Sequence, residues 1–134
     1  MKPIEYFEVA SLLRASTGAT LEGRERSAIS RYYYAAFLDA RDRLKEKRGF
    51  TFRKHETHDF VKRAYAFSDV PRVKKLGRML EDLKKLREIA DYSIDASQDP
   101  VAAGEAELMS QTIQSELAAP DFDFKACINP DSRP

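Results

Sequence analysis

The spacing of apolar side chains is the feature that most constrains this fold, because it is helical along the whole chain. The clearest example is a tyrosine-rich stretch whose apolar positions are Ile29, Tyr33, Ala36, Ala40 and Leu44. Intervals of four and three residues place side chains on one face of an α-helix. No stretch alternates apolar and polar residues for long enough to indicate a β-strand. The sequence therefore predicts an all-α fold.

Turn and capping residues divide the chain into five predicted helices. They span residues 4–15, 22–48, 56–67, 71–95 and 100–118. Pro3, Pro71 and Pro100 stand in the first turns of three of them, where proline is tolerated, and Gly49 supplies the C-terminal break of the second. The fifth helix is expected to bury Ala102, Ala106, Met109, Ile113 and Leu117. Short connections predict antiparallel neighbours.

Length and composition suit one compact domain. The chain has 134 residues, of which 43% are hydrophobic, enough for a single core. We assign residues 1–119 to a helical domain. Residues 120–134 carry three prolines and scattered acidic residues, so we expect a loosely ordered C-terminal tail, in which Phe122 and Phe124 could dock.

Charge is balanced over the whole chain but not along it. Lys and Arg number 23 and Asp and Glu number 22, so the net charge gives no argument for nucleic acid or for anionic membranes. Residues 24–87, however, contain 19 basic and 9 acidic side chains, whereas residues 88–134 contain 2 and 10. Either the two regions complement each other, within one fold or across a dimer, or the basic region forms a polyanion-binding surface.

The cysteine content and the N-terminus indicate the compartment. Cys127 is the only cysteine, so it cannot form an internal disulfide, which fits a reducing cytoplasm. Acidic residues such as Glu5 interrupt the apolar residues at the N-terminus, which argues against a signal peptide or a membrane anchor. We expect a soluble, cytoplasmic protein that does not associate with membranes.

Arg87 interrupts the apolar seam of the fourth predicted helix. The rest of that seam is Val73, Leu76, Leu80, Leu83, Ala90 and Ile94. A guanidinium there is unfavourable unless it is paired or reaches water. Asp91 lies four residues on, on the same face, and can form a salt bridge with it. Either this pair fixes the packing register, or Arg87 and Asp91, with Tyr92 beside them, form the polar centre of a functional site.

A second, polar stripe runs along the tyrosine-rich helix beside its apolar face. It consists of Arg24, Ser27, Ser30, Arg31, Tyr34 and Arg41. Three tyrosines follow Arg31, and a cation beside aromatic stacking surfaces is what a nucleotide or an RNA strand would require. Alternatively, the tyrosines pack in the core with their hydroxyls at its rim. The sequence leaves both interpretations open.

Three segments together resemble the HEPN superfamily (higher eukaryotes and prokaryotes nucleotide-binding). They are residues 30–37 (SRYYYAAF) followed by Ala40 and Arg41, residues 57–61 (THDFV), and residues 86–92 (LREIADY). The last contains the Arg-x-x-Ala-Asp-Tyr signature of a small prokaryotic branch, and the resemblance covers about residues 5–118. It implies a bundle of four or five helices and a homodimer built around the helices that carry the motifs.

The resemblance also bears on activity. Many HEPN domains are metal-independent ribonucleases in which an arginine is followed, after four to six residues, by a histidine. Here Tyr92 follows Arg87 after four residues, and no histidine occurs beyond His58. Histidine moves protons near neutral pH, whereas tyrosine, with an ordinary pKa of about 10, is a poor substitute. Arg87 and Asp91 could still bind phosphate or ribose.

The two histidines offer a weak metal signal. His55 and His58 share one helical face with Glu56 and Asp59, and such a set could hold a metal. No second ligand pair is evident, so we assign neither a metal nor a cofactor. The position of His58 in the resembled family suggests that it packs between the second and third helices.

The sequence supports three functional hypotheses. The preferred one is a HEPN-like module that dimerises and acts with a partner, a minimal nucleotidyltransferase, in a toxin–antitoxin or defence system. The second is a ribonuclease in which Arg87 acts with Tyr92, Asp91 or His58, and the third is a module that binds nucleotide or RNA without cleavage. The candidate catalytic residues are Arg87, Asp91 and Tyr92, and the candidate nucleotide- or RNA-binding residues are Arg31, Tyr34, Arg41 and His58.

Overall fold

Five α-helices form a bundle in the computed structural model of the chain. They are α1 (Pro3–Ala15), α2 (Leu21–Arg48), α3 (Thr57–Ala66), α4 (Pro71–Tyr92) and α5 (Pro100–Ala118), followed by 3-10 turns at Phe124–Ala126 and Pro130–Ser132. The structure describes residues 2–15, 21–52, 57–92 and 100–132, with the backbone alone for residues 21–25, 92, 100 and 132. These described residues contain no strand, so the predicted all-α bundle is confirmed. None of the described helices is both long and apolar enough to cross a membrane.

The predicted helix boundaries agree with the structure to within one residue at nearly every end. The exception is the C-terminal end of α4, where residues 93–95 of the prediction lie outside the described ranges. Gly49 has a φ of +65°, the left-handed conformation that the predicted break after α2 requires. Its N–H donates to the carbonyl of Lys45 at 3.0 Å and satisfies one of the last carbonyls of the helix.

α2 is the central helix and packs against α1, α4 and α5. Its predicted apolar positions, from Ile29 to Leu44, are at most 2% exposed. Ala28, Tyr32 and Ala35 are fully buried as well, although the predicted face did not include them. The buried surface is wider than one stripe because neighbouring helices cover α2 on more than one side.

α3 and α4 approach each other closely at Gly77. A Cβ at this position would lie 2.4 Å from the backbone nitrogen of Ala66, so only glycine allows this separation. An ion pair of 2.9 Å between Lys62 and Glu81 joins the same two helices. These contacts hold the middle and the C-terminal end of α3, the helix that carries His58, against α4.

The seam of α4 is buried at the five predicted apolar positions that the structure describes. Val73, Leu76, Leu80, Leu83 and Ala90 are at most 3% exposed, and Ile94 lies outside the described residues. On α5, Ala106, Ile113 and Leu117 are buried as predicted, whereas Ala102 and Met109 are only partly buried. Ala103 and Ser110 occupy the deeper positions. Ser110 is accommodated because its hydroxyl donates to the carbonyl of Tyr32 at 2.8 Å.

The segment after α5 packs on the bundle. Arg48 donates to the carbonyls of Phe124, Lys125 and Cys127 at 2.6–3.0 Å, and the N–H of Ile128 donates to the carbonyl of Ala64 at 2.9 Å. Phe122 and Cys127 are buried, and Phe122 packs edge-on against Phe124. Loose order was expected here from composition, but one arginine and two phenylalanines anchor residues 119–132. The domain boundary at residue 119 stays a prediction.

Candidate functional site

The guanidinium of Arg87, on α4, packs against two tyrosine rings of α2. Its guanidinium carbon lies 5.1 Å from the ring centre of Tyr34 and 5.4 Å from that of Tyr33. Its Nε donates to Oδ2 of Asp91 at 3.1 Å, the ion pair that the four-residue spacing predicted. The side chain keeps 17% of its surface exposed. The charge is therefore tolerated on the apolar seam of α4, because two aromatic faces, a carboxylate and water stabilise the guanidinium.

His58 contacts the same two tyrosines as Arg87. Its imidazole stacks on Phe37 with ring centres 4.0 Å apart, and the hydroxyl of Tyr33 lies 2.5 Å from its Nδ1. Tyr34 meets the same ring edge-on at 6.1 Å. The predicted packing of His58 between α2 and α3 is present. The ring is half-buried, and Tyr33 connects it to Arg87 through a shared aromatic surface.

Their surroundings keep both Tyr33 and His58 in the neutral form. The pKa of Tyr33 is raised well above its ordinary value, chiefly because the phenol is buried and in spite of the nearby cation of Arg87. The pKa of His58 is lowered, first by burial and then by the charges of Arg87, Lys84 and Arg41. A neutral phenol can donate or accept, so the tautomer of the neutral imidazole sets the direction of the hydrogen bond between Tyr33 and Nδ1.

The three cations that act on His58 come from two helices. Each has a carboxylate partner on its own helix: Arg41 with Asp42 at 2.9 Å, Lys84 with Glu88 at 3.8 Å, and Arg87 with Asp91 at 3.1 Å. Exposed pairs of this kind are weak, so their cations can reorient toward a ligand anion at small cost. We call His58, Tyr33, Tyr34, Arg41, Lys84 and Arg87 the Arg87 cluster.

The structure brings together most, but not all, of the predicted site residues. Arg87, Asp91, Tyr34, His58 and Arg41 lie in or beside the cluster. Arg31 instead donates to the carbonyl of Ser27 at 3.3 Å, one turn back on its own helix, and has no recorded contact with the cluster. Tyr92 is the last residue of α4, and its side chain lies outside the described residues.

Two members of the cluster and one supporting ring were not singled out from sequence as site residues. Tyr33 was assigned to the apolar face of α2, and it is buried there, yet its hydroxyl reaches His58. Phe37 is four residues from Tyr33 on α2, and Lys84 precedes Arg87 by three residues on α4. These spacings could have identified Phe37 and Lys84 from the sequence, because residues three or four apart on a helix share a face.

The two histidines of the weak metal signal are divided between described and undescribed residues. His55 and Glu56 lie outside the described residues. Within the part of the chain that the structure describes, no group of three or more His, Cys, Asp or Glu side chains could hold a metal ion. The Arg87 cluster is instead rich in cations, which favours anions as ligands.

Comparison with known proteins identifies one archaeal relative. The protein from Methanocaldococcus jannaschii carries the name Uncharacterized protein MJ0992 and is 30% identical over 130 residues. The match covers 84% of this chain and 72% of the relative. No model of a protein family matches the chain, and no solved structure matches it.

Proposed function

The chain belongs to the same family as the archaeal protein MJ0992, and we propose that it is a HEPN-type module that contacts RNA or nucleotide through the Arg87 cluster. In this proposal it forms a homodimer in the cytoplasm. It acts with a partner protein, a minimal nucleotidyltransferase, in a toxin–antitoxin or defence system. The HEPN resemblance of the three motif segments supports the dimer and the partner.

The placement of Arg87 is the observation that carries the RNA-binding part of the proposal. An arginine on a helix seam would be expected to make as many hydrogen bonds as its five donors allow, but the described contacts of Arg87 are one carboxylate and two ring faces. A phosphate is the ligand that a planar guanidinium recognises best. Tyr34, partly exposed beside it, offers a surface on which a base could stack.

RNA binding by purified protein tests this part. The probe is a fluorescein-labelled, 12-nucleotide single-stranded RNA, with fluorescence anisotropy recorded at two salt concentrations. Loss of one charge-assisted hydrogen bond is worth about 1.5–3 kcal/mol, so R87Q should weaken binding by about tenfold or more. R78Q is the matched control because Arg78 is exposed on the same helix. Absence of binding by the wild type, or an equal loss in R78Q, contradicts the proposal.

The dimer and the partner need separate measurements. Sedimentation equilibrium should give twice the monomer mass of 15.3 kDa. Expression of the chain alone and together with a nucleotidyltransferase encoded beside its gene should show growth inhibition that the partner relieves and a complex that co-purifies. A monomer, or growth that is unaffected in both cases, argues against these two parts while leaving RNA binding to be judged by itself.

A ribonuclease is the second candidate, and the position of His58 favours it. The histidine that the motif lacks after Arg87 could be replaced in space by His58, which lies on the same group of tyrosines. We place binding first because Tyr33 engages one of the two ring nitrogens and the histidine of the family motif is absent after Arg87. Cleavage of cellular RNA in the presence of EDTA by the wild type, but not by R87A, would reverse this order.

A further inference from the structure

His58 has one polar atom left for a ligand. Its Nδ1 is engaged by Tyr33, and one face of the ring is covered by Phe37. Among the described residues, none makes a recorded hydrogen bond with Nε2. The stacking on Phe37 and the hydrogen bond to Tyr33 fix the orientation of the ring and therefore the position of Nε2.

Three cations lower the pKa of this imidazole, and each is paired with a carboxylate on its own helix: Arg41 with Asp42, Lys84 with Glu88, and Arg87 with Asp91. From α2 it is approached by Tyr33, Tyr34 and Arg41, and from α4 by Lys84 and Arg87. On α3 itself, the neighbouring carboxylate of Asp59 is engaged by Lys62 at 3.4 Å and by Arg63 at 3.0 Å. The cations therefore oppose a positive charge on the ring, and an anion placed among them would remove that opposition.

We propose that a phosphodiester of single-stranded RNA binds in the Arg87 cluster against Nε2 of His58, and that the imidazole takes up one proton as the phosphodiester binds. This inference rests on the proposed function, because it concerns the same site. It adds the group that is recognised and a linkage between binding and pH. The proton comes from solvent and adds to the ring nitrogen that lacks one, so the doubly protonated ring donates from Nε2 to a phosphate oxygen and from Nδ1 to Tyr33.

Tyr33 allows this change without leaving a buried group unpaired. In the free protein its hydroxyl is hydrogen-bonded to Nδ1. When both ring nitrogens carry a proton, the hydroxyl accepts from Nδ1, because a phenol is both donor and acceptor. The hydrogen bond is therefore retained in the complex. The phosphate charge offsets Arg41, Lys84 and Arg87 and also attracts the imidazolium directly.

The test is the pH dependence of RNA binding. The probe is a 12-nucleotide RNA without a terminal phosphate, whose phosphodiesters keep one negative charge throughout the range, from pH 5.5 to 8. If one proton is taken up, affinity should decrease as pH rises, by at most about tenfold per pH unit, in the window between the pKa of His58 in the free protein and in the complex. Calorimetry in two buffers of different ionisation enthalpy should report uptake approaching one proton.

Two variants assign the proton to a residue. H58Q should bind more weakly and lose the pH dependence, whereas H55Q, which removes the other histidine, should keep it. H55Q contains His58 as its single histidine, so its imidazole signal in NMR titrations reports on that residue alone. The pKa of His58 should rise when the RNA saturates the protein. If H58Q fails to fold, the NMR titration of H55Q still shows whether His58 takes up the proton.

The outcomes separate this inference from the proposed function. RNA binding without proton uptake, or an unchanged pKa of His58 in the complex, overturns the inference and leaves RNA binding by the Arg87 cluster standing. Equal loss of pH dependence in H55Q and H58Q overturns the assignment to His58. No binding of the RNA by the wild type overturns both.

Discussion

A hydrogen bond of 2.5 Å between the hydroxyl of Tyr33 and Nδ1 of His58 connects the middle of α2 to the first turn of α3. The same imidazole lies flat on Phe37, four residues further along α2. Two adjacent turns of the central helix therefore fix the orientation of the ring. A half-buried, neutral histidine of this kind affects both the stability of the fold and the chemistry of the site.

We predict that the free energy of unfolding decreases as pH is lowered from 7.5 to 5. Burial and neighbouring cations hold the pKa of His58 below its value of about 6.5 in the unfolded chain. Between these two values the unfolded state binds more protons, so stability rises with pH there. The contribution is complete above about pH 6.5 and is lost as pH falls through the pKa of the folded state.

Urea unfolding at several pH values measures this effect. H58Q should have a shallower pH dependence than the wild type over this range. H55Q serves as the control for the change of a histidine to glutamine. A slope in H58Q as steep as in the wild type would show that other groups dominate.

The Arg87–Asp91 pair should contribute more to RNA binding than to stability. A solvated pair four residues apart on a helix is worth about 0.3–0.5 kcal/mol, and Arg87 and Asp91 both keep part of their side chains exposed to water. R87Q is therefore expected to lower the free energy of unfolding by less than about 1 kcal/mol, while RNA affinity falls by about tenfold or more. Both quantities should be measured on the same preparation.

If the Arg87–Asp91 pair instead sets the packing register, R87A should melt at a clearly lower temperature, and exchanging the two residues should restore part of the lost stability.

Two glycines in helices should respond in opposite ways to alanine. G77A places a Cβ 2.4 Å from the backbone of Ala66, so α3 and α4 must separate. We expect a loss of about 2 kcal/mol or more, although alanine is the better helix former by about 1 kcal/mol. G104A on α5 meets nothing within 4 Å and should gain about 0.5–1 kcal/mol. Denaturant unfolding of both variants decides this, and a stable G77A would contradict the close approach.

Arg48 should control access to the single cysteine. Burial leaves Cys127 2% exposed and raises the pKa of its thiol to about 12, so it should react slowly with a thiol reagent at pH 8. R48Q removes the donors that hold three carbonyls of the C-terminal segment and should increase the labelling rate by about tenfold or more, with little change in the global melting temperature. K47Q, at the exposed neighbouring position, should label like the wild type. Equal rates in all three proteins would show that Arg48 does not hold the segment in place.

Local patterns were sufficient for the helices and for the pair on α4. The proline and glycine positions marked the helix ends, because proline lacks an N–H and glycine adopts a positive φ, and both effects act within a few residues. The pairing of Arg87 with Asp91 followed from helical geometry alone. Arg31 was placed in the site by the same kind of reasoning, yet it bonds back to Ser27, since a shared stripe does not determine which neighbour a long side chain meets.

The sequence by itself determined the all-α class, the helix limits and the buried stripe of α2, because periodicity, capping and apolar spacing are properties of short stretches. Only the tertiary structure decided that His58, distant in sequence, stacks on Phe37 and forms a hydrogen bond with Tyr33 beside Arg87. It likewise decided that Arg48 anchors the segment after α5. These contacts depend on how the packing of the bundle places one helix against another. Gly77 at the α3–α4 contact is an example, because one added methyl group there would displace the helix that carries His58.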